Sequence, residues 1–130
     1  MISGSAGNEA VSKPINVTTA VDFRSPEILN LNVESIIVGV GTEARAQLIV
    51  SWDTDEPGTT QVAYAEGTGT TYNQSTQEES NLTTNHVVTI TGLTPSKIYH
   101  LQALSDDTTG NTGKSFDTVV VTPKSTKAAL

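Results

Sequence analysis

Residues 44–57 read ARAQLIVSWDTDEP, and the alternation within them decides the fold class. The apolar side chains occupy every second position: Ala46, Leu48, Val50 and Trp52. The positions between them are polar, with Ile49 as the exception. This period-2 pattern predicts a β-strand over residues 44–54 with one buried face. The next residues, DEPG at 55–58, have the chemistry of a turn and predict the end of that strand.

Six further segments carry strand patterns between turn signals. They are residues 27–40, 61–66, 71–77, 85–91, 98–105 and 115–122. The predicted inward side chains of the central ones are Val62, Tyr64, Val88, Ile90, Tyr99, Leu101 and Ala103. No long window shows a helical period. About seven short strands with turn signals roughly every 8 to 12 residues predict an all-β antiparallel sandwich.

An extra strand pattern lies near the N-terminus, in residues 15–23. Its apolar side chains share one parity: Ile15, Val17, Val21 and Phe23. The segment either pairs with its own sandwich as an edge strand or leaves it to complete a neighbour's sheet, because strand addition uses main-chain hydrogen bonds and alternating side chains. The predicted organisation is a leader at 1–24 that contains this strand, a domain at 25–123 and a tail at 124–130.

Composition excludes several classes of function. The chain has 130 residues, 14 acidic and 7 basic side chains, a net charge of −7 and no cysteine. The acidic balance argues against a nucleic-acid partner, because phosphate contacts need clustered Lys and Arg. Without cysteine there is no disulfide framework and no thiol nucleophile. Since no apolar run approaches the roughly 20 residues of a membrane-spanning helix, direct membrane insertion is not expected.

Three sequence features give the chain a family resemblance. Residues 93–99 read LTPSKIY, an L-x-P-x-x-x-Y motif, and they follow Trp52 in the strongest strand. Together with SDDTTGN at 105–111, these features resemble the fibronectin type III superfamily, which has an immunoglobulin-like fold. The stretch TDEP at 54–57 followed by QVAY at 61–64 looks most like a bacterial subtype. It is also similar to the non-catalytic N-terminal domain of purple acid phosphatases.

The resemblance covers about residues 25–123 and implies structural roles for a small set of side chains. These are Trp52, Tyr64, Leu93, Pro95 and Tyr99. A ring as large as that of Trp52 fills the gap between two sheets about 10 Å apart. The hydroxyl of Tyr99 is expected to return to the backbone near the corner. The long stretch at 36–46 departs from the family pattern and leaves the register of the first strand open.

Candidate metal ligands are few. His86, His100 and Asp106 could form a metal pair, or the histidines could be two unrelated strand residues, since zinc needs three or four convergent ligands. Oxygen ligands for calcium could come from one acidic group: Asp106, Asp107, Asn111 and Asp117. A second acidic patch contains Asp53, Asp55 and Glu56. The same residue types also cap and reverse the chain in turns, and the EF-hand spacing is absent. We expect no cofactor, with calcium as the remaining alternative.

Catalysis is not expected, because no nucleophile elbow, S-x-x-K motif or His-paired nucleophile is present. Most aromatic side chains, Phe116 included, are assigned to the core, which leaves Tyr72 as the candidate for a sugar contact. The sequence therefore predicts a non-catalytic extracellular or cell-surface module, of prokaryotic type, that acts as a spacer, adhesion or protein-binding unit. The alternatives are a filament or surface-layer subunit that polymerises through residues 15–23, and a carbohydrate-associated accessory domain of a secreted hydrolase. Expected partners are neighbouring domains or subunits, with polysaccharide as a further candidate.

Overall fold

The computed structural model describes residues 24–125, and they form an antiparallel β-sandwich, as predicted. Its strands are β1 (Ile28–Val38), β2 (Arg45–Glu66), β3 (Gln74–Ser75), β4 (Glu79–Leu93), β5 (Ile98–Asp106), β6 (Thr112–Lys114) and β7 (Thr118–Val121). A three-residue 3-10 helix, Gly41–Glu43, joins β1 to β2. No helix in the described residues has the length and apolar character needed to cross a membrane. The extra strand predicted at 15–23 lies outside the described residues.

The two sheets of the sandwich share strand β2. The first sheet places the N-terminal half of β2 between β1 and β4. The second sheet places the C-terminal half of β2 between β3 and β5, and β6 and β7 pair with the far edge of β5. All these pairs are antiparallel, so one long strand carries the chain from one layer to the other.

The turn predicted at residues 55–58 is wrong, because β2 runs without interruption from Arg45 to Glu66. Pairing with β4 shifts register between Asp53 and Gly58 and again between Gly58 and Thr60. Such bulges bend a strand without ending it, which lets β2 change sheets. Gly58 suits this position, since a Cβ there would come within 3.2 Å of Ser105 and of the Asp106 carbonyl oxygen.

The strand predicted at residues 115–122 is shorter in the structure. Residues 115–117 form a break after the end of β6 at Lys114, and only Thr118–Val121 are extended, as β7. At the break the Ser115 N–H donates to the Ala103 carbonyl at 3.0 Å, and the Ser115 hydroxyl accepts from the Ala103 N–H at 2.9 Å. The break turns Phe116 away from the core, and its side chain is 91% exposed. The core role assigned to Phe116 is therefore wrong.

The core between the sheets is built from the alternating side chains that the sequence singled out. Its buried members are Ala46, Leu48, Val50, Trp52, Val62, Ile90, Leu93, Tyr99, Leu101 and Ala103. The Trp52 indole N–H donates to the Ser105 hydroxyl at 3.0 Å, so the polar atom of this buried ring is satisfied. Tyr64 is half-buried and packs against this core from its rim.

The corner before β5 has the hydrogen bond expected from the L-x-P-x-x-x-Y motif. The Tyr99 hydroxyl accepts from the Thr94 N–H at 2.9 Å. Ser96 adopts a left-handed conformation, with φ of 56°, at the tip of the turn. Leu93 is buried and Pro95 is half-buried. The phenol ring therefore fills the core while its oxygen satisfies a backbone group that the turn leaves open.

Candidate binding surface

His86 is a core residue of the first sheet. Its side chain is 1% exposed and stacks on Trp52, with ring centroids 5.1 Å apart and planes 10° apart. Its Nε2 lies 2.9 Å from the Thr54 hydroxyl, and its Nδ1 lies 2.7 Å from the Thr60 hydroxyl. Because Thr54 donates its own proton to the Glu56 carbonyl at 2.7 Å, it accepts from Nε2–H, and Thr60 donates to Nδ1. This arrangement requires a neutral ring.

The environment of His86 favours that neutral form. Burial lowers the pKa of the His86 imidazole, and the nearby Asp53 carboxylate opposes this effect without reversing it. Both ring nitrogens are already engaged by threonine hydroxyls. His86 is therefore a hydrogen-bonded core residue and is not available as a metal ligand.

His100 points to the outer face of the second sheet, as its parity predicts, yet it is only 1% exposed. The Tyr72 ring covers it, with centroids 4.8 Å apart, and its Nδ1 donates to Asp117 Oδ1 at 2.8 Å. Tyr72 also donates its hydroxyl proton to Asp117 Oδ1, at 2.5 Å. We call these three side chains the Tyr72–His100–Asp117 cluster. Tyr72 is half-buried in this contact, so it is a poor candidate for the open sugar platform that the sequence suggested.

The cluster perturbs its own ionisable groups. Burial and the hydrogen bond to Asp117 raise the pKa of the Tyr72 phenol to about 12. The hydrogen bond from Tyr72 lowers the pKa of Asp117; burial opposes this, and His100 adds to the lowering. The cluster joins the loop before β3 to the connection between β6 and β7, across β5. Sequence reasoning missed it because no local pattern links residues 72, 100 and 117.

Three exposed apolar side chains lie on the same outer face and form what we call the outer patch. They are Ile98, Val119 and Val121, which are 44%, 53% and 59% exposed. Ile98 is paired with Val121 and His100 with Val119, so the patch borders the cluster. The signal was present in the sequence TVVV at 118–121, because consecutive residues of a strand point to opposite faces and cannot all face one core. Val120 is the one that packs inward.

The acidic turn between β5 and β6 is held together by its own hydrogen bonds. Asp107 accepts from the backbone N–H and the side chain of both Thr109 and Asn111. Burial alone would raise the pKa of Asp107, but these bonds outweigh it, with those from Asn111 first, and hold the pKa far below its ordinary value. Asp106 accepts from the Thr112 hydroxyl at 2.6 Å. Asp117 lies in the cluster with Tyr72 and His100.

The second acidic patch is also occupied by protein donors. Asp53 accepts from the side-chain amides of Asn85 and Asn30. Asp55 accepts from the Glu27 N–H at 2.9 Å and from the Arg24 guanidinium, which also pairs with Glu56. Within residues 24–125 no three His, Asp or Glu side chains converge as ligands for a metal ion. The structure therefore does not bring His86, His100 and Asp106 together as ligands. Of the proposed calcium ligands, Asp107 and Asn111 are in contact, but they are hydrogen-bonded to each other.

The antiparallel sandwich, the indole in its core and the tyrosine at its corner define a fibronectin type III-like domain. A family model described as "Purple acid Phosphatase, N-terminal domain" matches residues 33–120. This match covers more than half of the chain, so the chain belongs to that family of non-catalytic modules. The resemblance predicted from the sequence is thereby confirmed. No curated protein and no solved structure matches the chain.

Proposed function

We propose that the chain is a non-catalytic module that docks onto and orients a neighbouring domain of a larger surface or secreted protein. Membership in the family supports this role, because that family is named for the domain that occupies the N-terminal position of a phosphatase. The proposed neighbour is accordingly a hydrolase domain. The module contributes position and contact surface, and the neighbour contributes the chemistry.

The outer patch is the observation that carries this proposal. Ile98, Val119 and Val121 form an apolar surface on β5 and β7, and β7 is the last strand of the described fold. Next to them the Tyr72–His100–Asp117 cluster supplies a polar border that is already held in place by hydrogen bonds. An apolar centre with a polar rim is typical of a protein–protein contact. A domain that follows β7 in the chain would begin close to this surface.

The test replaces Val119 and Val121 together by serine in the full natural polypeptide that contains this chain. We expect the linker after β7 to become more sensitive to protease and the radius of gyration from X-ray scattering to increase, since the two domains separate. In the isolated chain the same change should alter the free energy of unfolding by no more than about 0.5 kcal/mol, as is usual for exposed positions.

The matched control is Val87→Ser, because Val87 is 65% exposed on the outer face of the other sheet. It should change neither the protease sensitivity nor the scattering. An outer-patch variant that behaves like this control would contradict the proposed contact. The isolated chain should not hydrolyse p-nitrophenyl phosphate, whereas a polypeptide that includes the proposed hydrolase domain should.

We further propose that the module works outside the cell, on a prokaryotic surface or in its secretions. The excess of 14 acidic over 7 basic residues supports solubility in that setting. The lack of cysteine suits bacterial surface proteins, many of which do without disulfides. Brief protease treatment of intact cells, followed by mass spectrometry, checks this proposal. Peptides of this chain should be released before lysis, and their release only after lysis would contradict it.

A further inference from the structure

Strand β1 is an open edge of the first sheet. Within residues 24–125 it pairs with β2 alone, and its register is regular from Asn32 to Val38. Its sequence, ILNLNVESIIV, contains one glutamate and no lysine, arginine or proline. Edge strands of stable monomers are usually protected by such residues or by a covering segment. A long, regular and largely apolar edge is therefore a place where another strand can add.

The inner face of β1 is also incompletely covered. Val33 is half-buried, whereas its partner Val50 on β2 is fully buried. Ile37 is likewise half-buried beside the fully buried Ala46. The burial of the inward side chains thus decreases from β2 to β1. One more strand along the free edge of β1 would extend the buried layer.

A groove of about 550 Å³ begins at this edge and reaches the connection between β6 and β7. We call it the edge groove; its lining includes Pro26, Ile28, Leu31, Ser115, Phe116 and Thr118. Phe116 is 91% exposed beside it, although burial of a phenyl ring is strongly favourable. An exposed ring next to an open strand edge indicates that a partner supplies the missing cover.

We propose that residues 15–23 of a second copy of this chain add to β1 as a strand and place their apolar face in the edge groove against Phe116. The side chains on that face are Ile15, Val17, Thr19, Val21 and Phe23. At about 3.3 Å per residue, nine residues span roughly 30 Å, close to the length of the eleven-residue β1. The segment is therefore long enough to cover the regular part of the edge, Asn32–Val38, where the side chains of β1 alternate; β1 bulges between Leu29 and Asn32.

The contacts of residues 24–27 favour addition of the segment to β1 of a second copy over addition to β1 of its own chain. Arg24 pairs with Asp55, and the Glu27 N–H donates to Asp55. The Pro26 carbonyl packs directly against Gly113, where no Cβ would fit. Residues 24–27 are thus held in place by these contacts. To pair with β1 of its own chain, the segment would have to reverse direction through a turn of at least two residues. These turn residues would be taken from 15–23, so Phe23 could no longer belong to the alternating apolar face.

This self-association does not depend on the outer patch, so its failure leaves the proposed docking of a neighbouring domain untouched. The experiment is sedimentation velocity of the full 130-residue chain over a range of concentrations. We expect dimers and longer assemblies to grow with concentration. Each subunit would give its segment to one neighbour and receive a segment from another, so the contact does not close on a pair.

Two groups of variants separate the donor from the acceptor. Val17→Asp with Val21→Asp places charges on the apolar face of the segment. On the acceptor side, Phe116→Ser removes the exposed ring, and Ile36→Lys places a charge on the β1 edge. Each change should weaken association at least tenfold, whereas Val87→Ser should not. Because Phe116 and Ile36 are exposed, the acceptor variants should keep the parent thermal unfolding curve at concentrations where the parent is monomeric.

Mixing the variants gives the decisive result. The donor variant keeps its groove and the Phe116→Ser acceptor variant keeps its segment, so together they should form a one-to-one dimer that does not extend. The proposal is overturned if the chain stays monomeric, if both variants assemble like the parent, or if the mixture forms no dimer. A monomer in which the amides of residues 15–23 are protected from hydrogen exchange would place the segment in its own groove, and would also overturn it.

Discussion

His86 combines two properties that rarely occur together in a sandwich core, since it is fully buried and titratable. Its ring extends the aromatic stack that Trp52 begins, and its two nitrogens are matched to the hydroxyls of Thr54 and Thr60. A second proton on the ring would put a donor opposite the Thr60 hydroxyl that now donates to it. The cost of protonation is therefore both desolvation and a lost hydrogen bond.

The first prediction is a loss of stability in mild acid. Because the pKa of His86 is lowered in the fold from 6.5, the unfolded chain takes up the proton first. Its contribution is complete above about pH 6.5 and declines as the pH falls, by at most about 1.4 kcal/mol per pH unit. Urea unfolding followed by Trp52 fluorescence between pH 7 and 5 measures the slope, which should be smaller in His86→Gln.

Native-state NMR provides an independent check that does not require the variant to fold. The pKa of the His86 ring in the folded chain should lie below 6.5, and a native ring that titrates at its ordinary value would contradict the argument. The lowered pKa values of Asp53, Asp55, Asp107 and Asp117 act in a separate range. Their contributions are present above about pH 4 and are lost only as the pH falls below it.

The second prediction concerns Gly113, whose missing side chain allows the two sheets to meet at one edge. A Cβ at this position would overlap the Pro26 carbonyl oxygen, so backbone must move. Gly113→Ala should therefore destabilise the fold by about 1 to 3 kcal/mol, as over-packing does. Chemical denaturation gives the value. Lys114→Ala, at the exposed neighbouring position, should stay within about 0.5 kcal/mol of the parent.

At the scale of elements, the second sheet depends on side-chain contacts that cross its outer face. Strand β3 has only two residues and β7 only four, so their own ladders are short. The Tyr72–His100–Asp117 cluster connects the loop before β3 with the segment before β7. In this way the two short outer strands are held against β2 and β5 by more than their backbone hydrogen bonds.

The third prediction tests that connection with Tyr72→Phe, which removes one hydroxyl and keeps the ring over His100. Loss of a hydrogen bond to a carboxylate at a partly exposed site should cost about 1 kcal/mol. Amides of β3 and β7 should also exchange faster with solvent. Tyr64→Phe is the matched control, since within residues 24–125 the Tyr64 hydroxyl has no hydrogen-bond partner. Equal effects of the two changes would contradict the proposed connection.

At the scale of the whole molecule, the sandwich core is complete within the described residues, apart from the open edge at β1. The ten buried core side chains all lie between Ala46 and Ala103. The segment at 15–23 is therefore not required to close the core of its own domain. The fold and the self-association are expected to be separable properties of the chain.

The fourth prediction follows from that separation. At concentrations where the parent is monomeric, a chain that starts at Arg24 should unfold within about 0.5 kcal/mol of the parent. It should stay monomeric at concentrations where the parent assembles. Thermal unfolding and sedimentation measure the two properties side by side. A clear loss of stability on deletion would show that the segment covers its own β1, which is the opposite of the proposed exchange.

Local sequence determined the sandwich class, the core face and the corner of this protein. Alternation at residues 46 to 52 selects one side of a strand, and the motif at 93–99 sets a turn and its covering ring within seven residues. Both signals work because the interacting positions are close in the chain. The domain limits at 25–123 remain a prediction, and the family match at 33–120 falls inside them.

Only the tertiary structure decided the features that join distant residues. The DEPG stretch at 55–58 stays extended although its composition favours a turn. The reason is that β2 pairs with β4 before this stretch and with β5 after it. His100 is buried on an outward face because Tyr72 and Asp117 cover it, and Phe116 is exposed because the ladder breaks at residues 115–117. Pairing energy and burial across separations of tens of residues outweigh local preference, and no pattern within one strand records them.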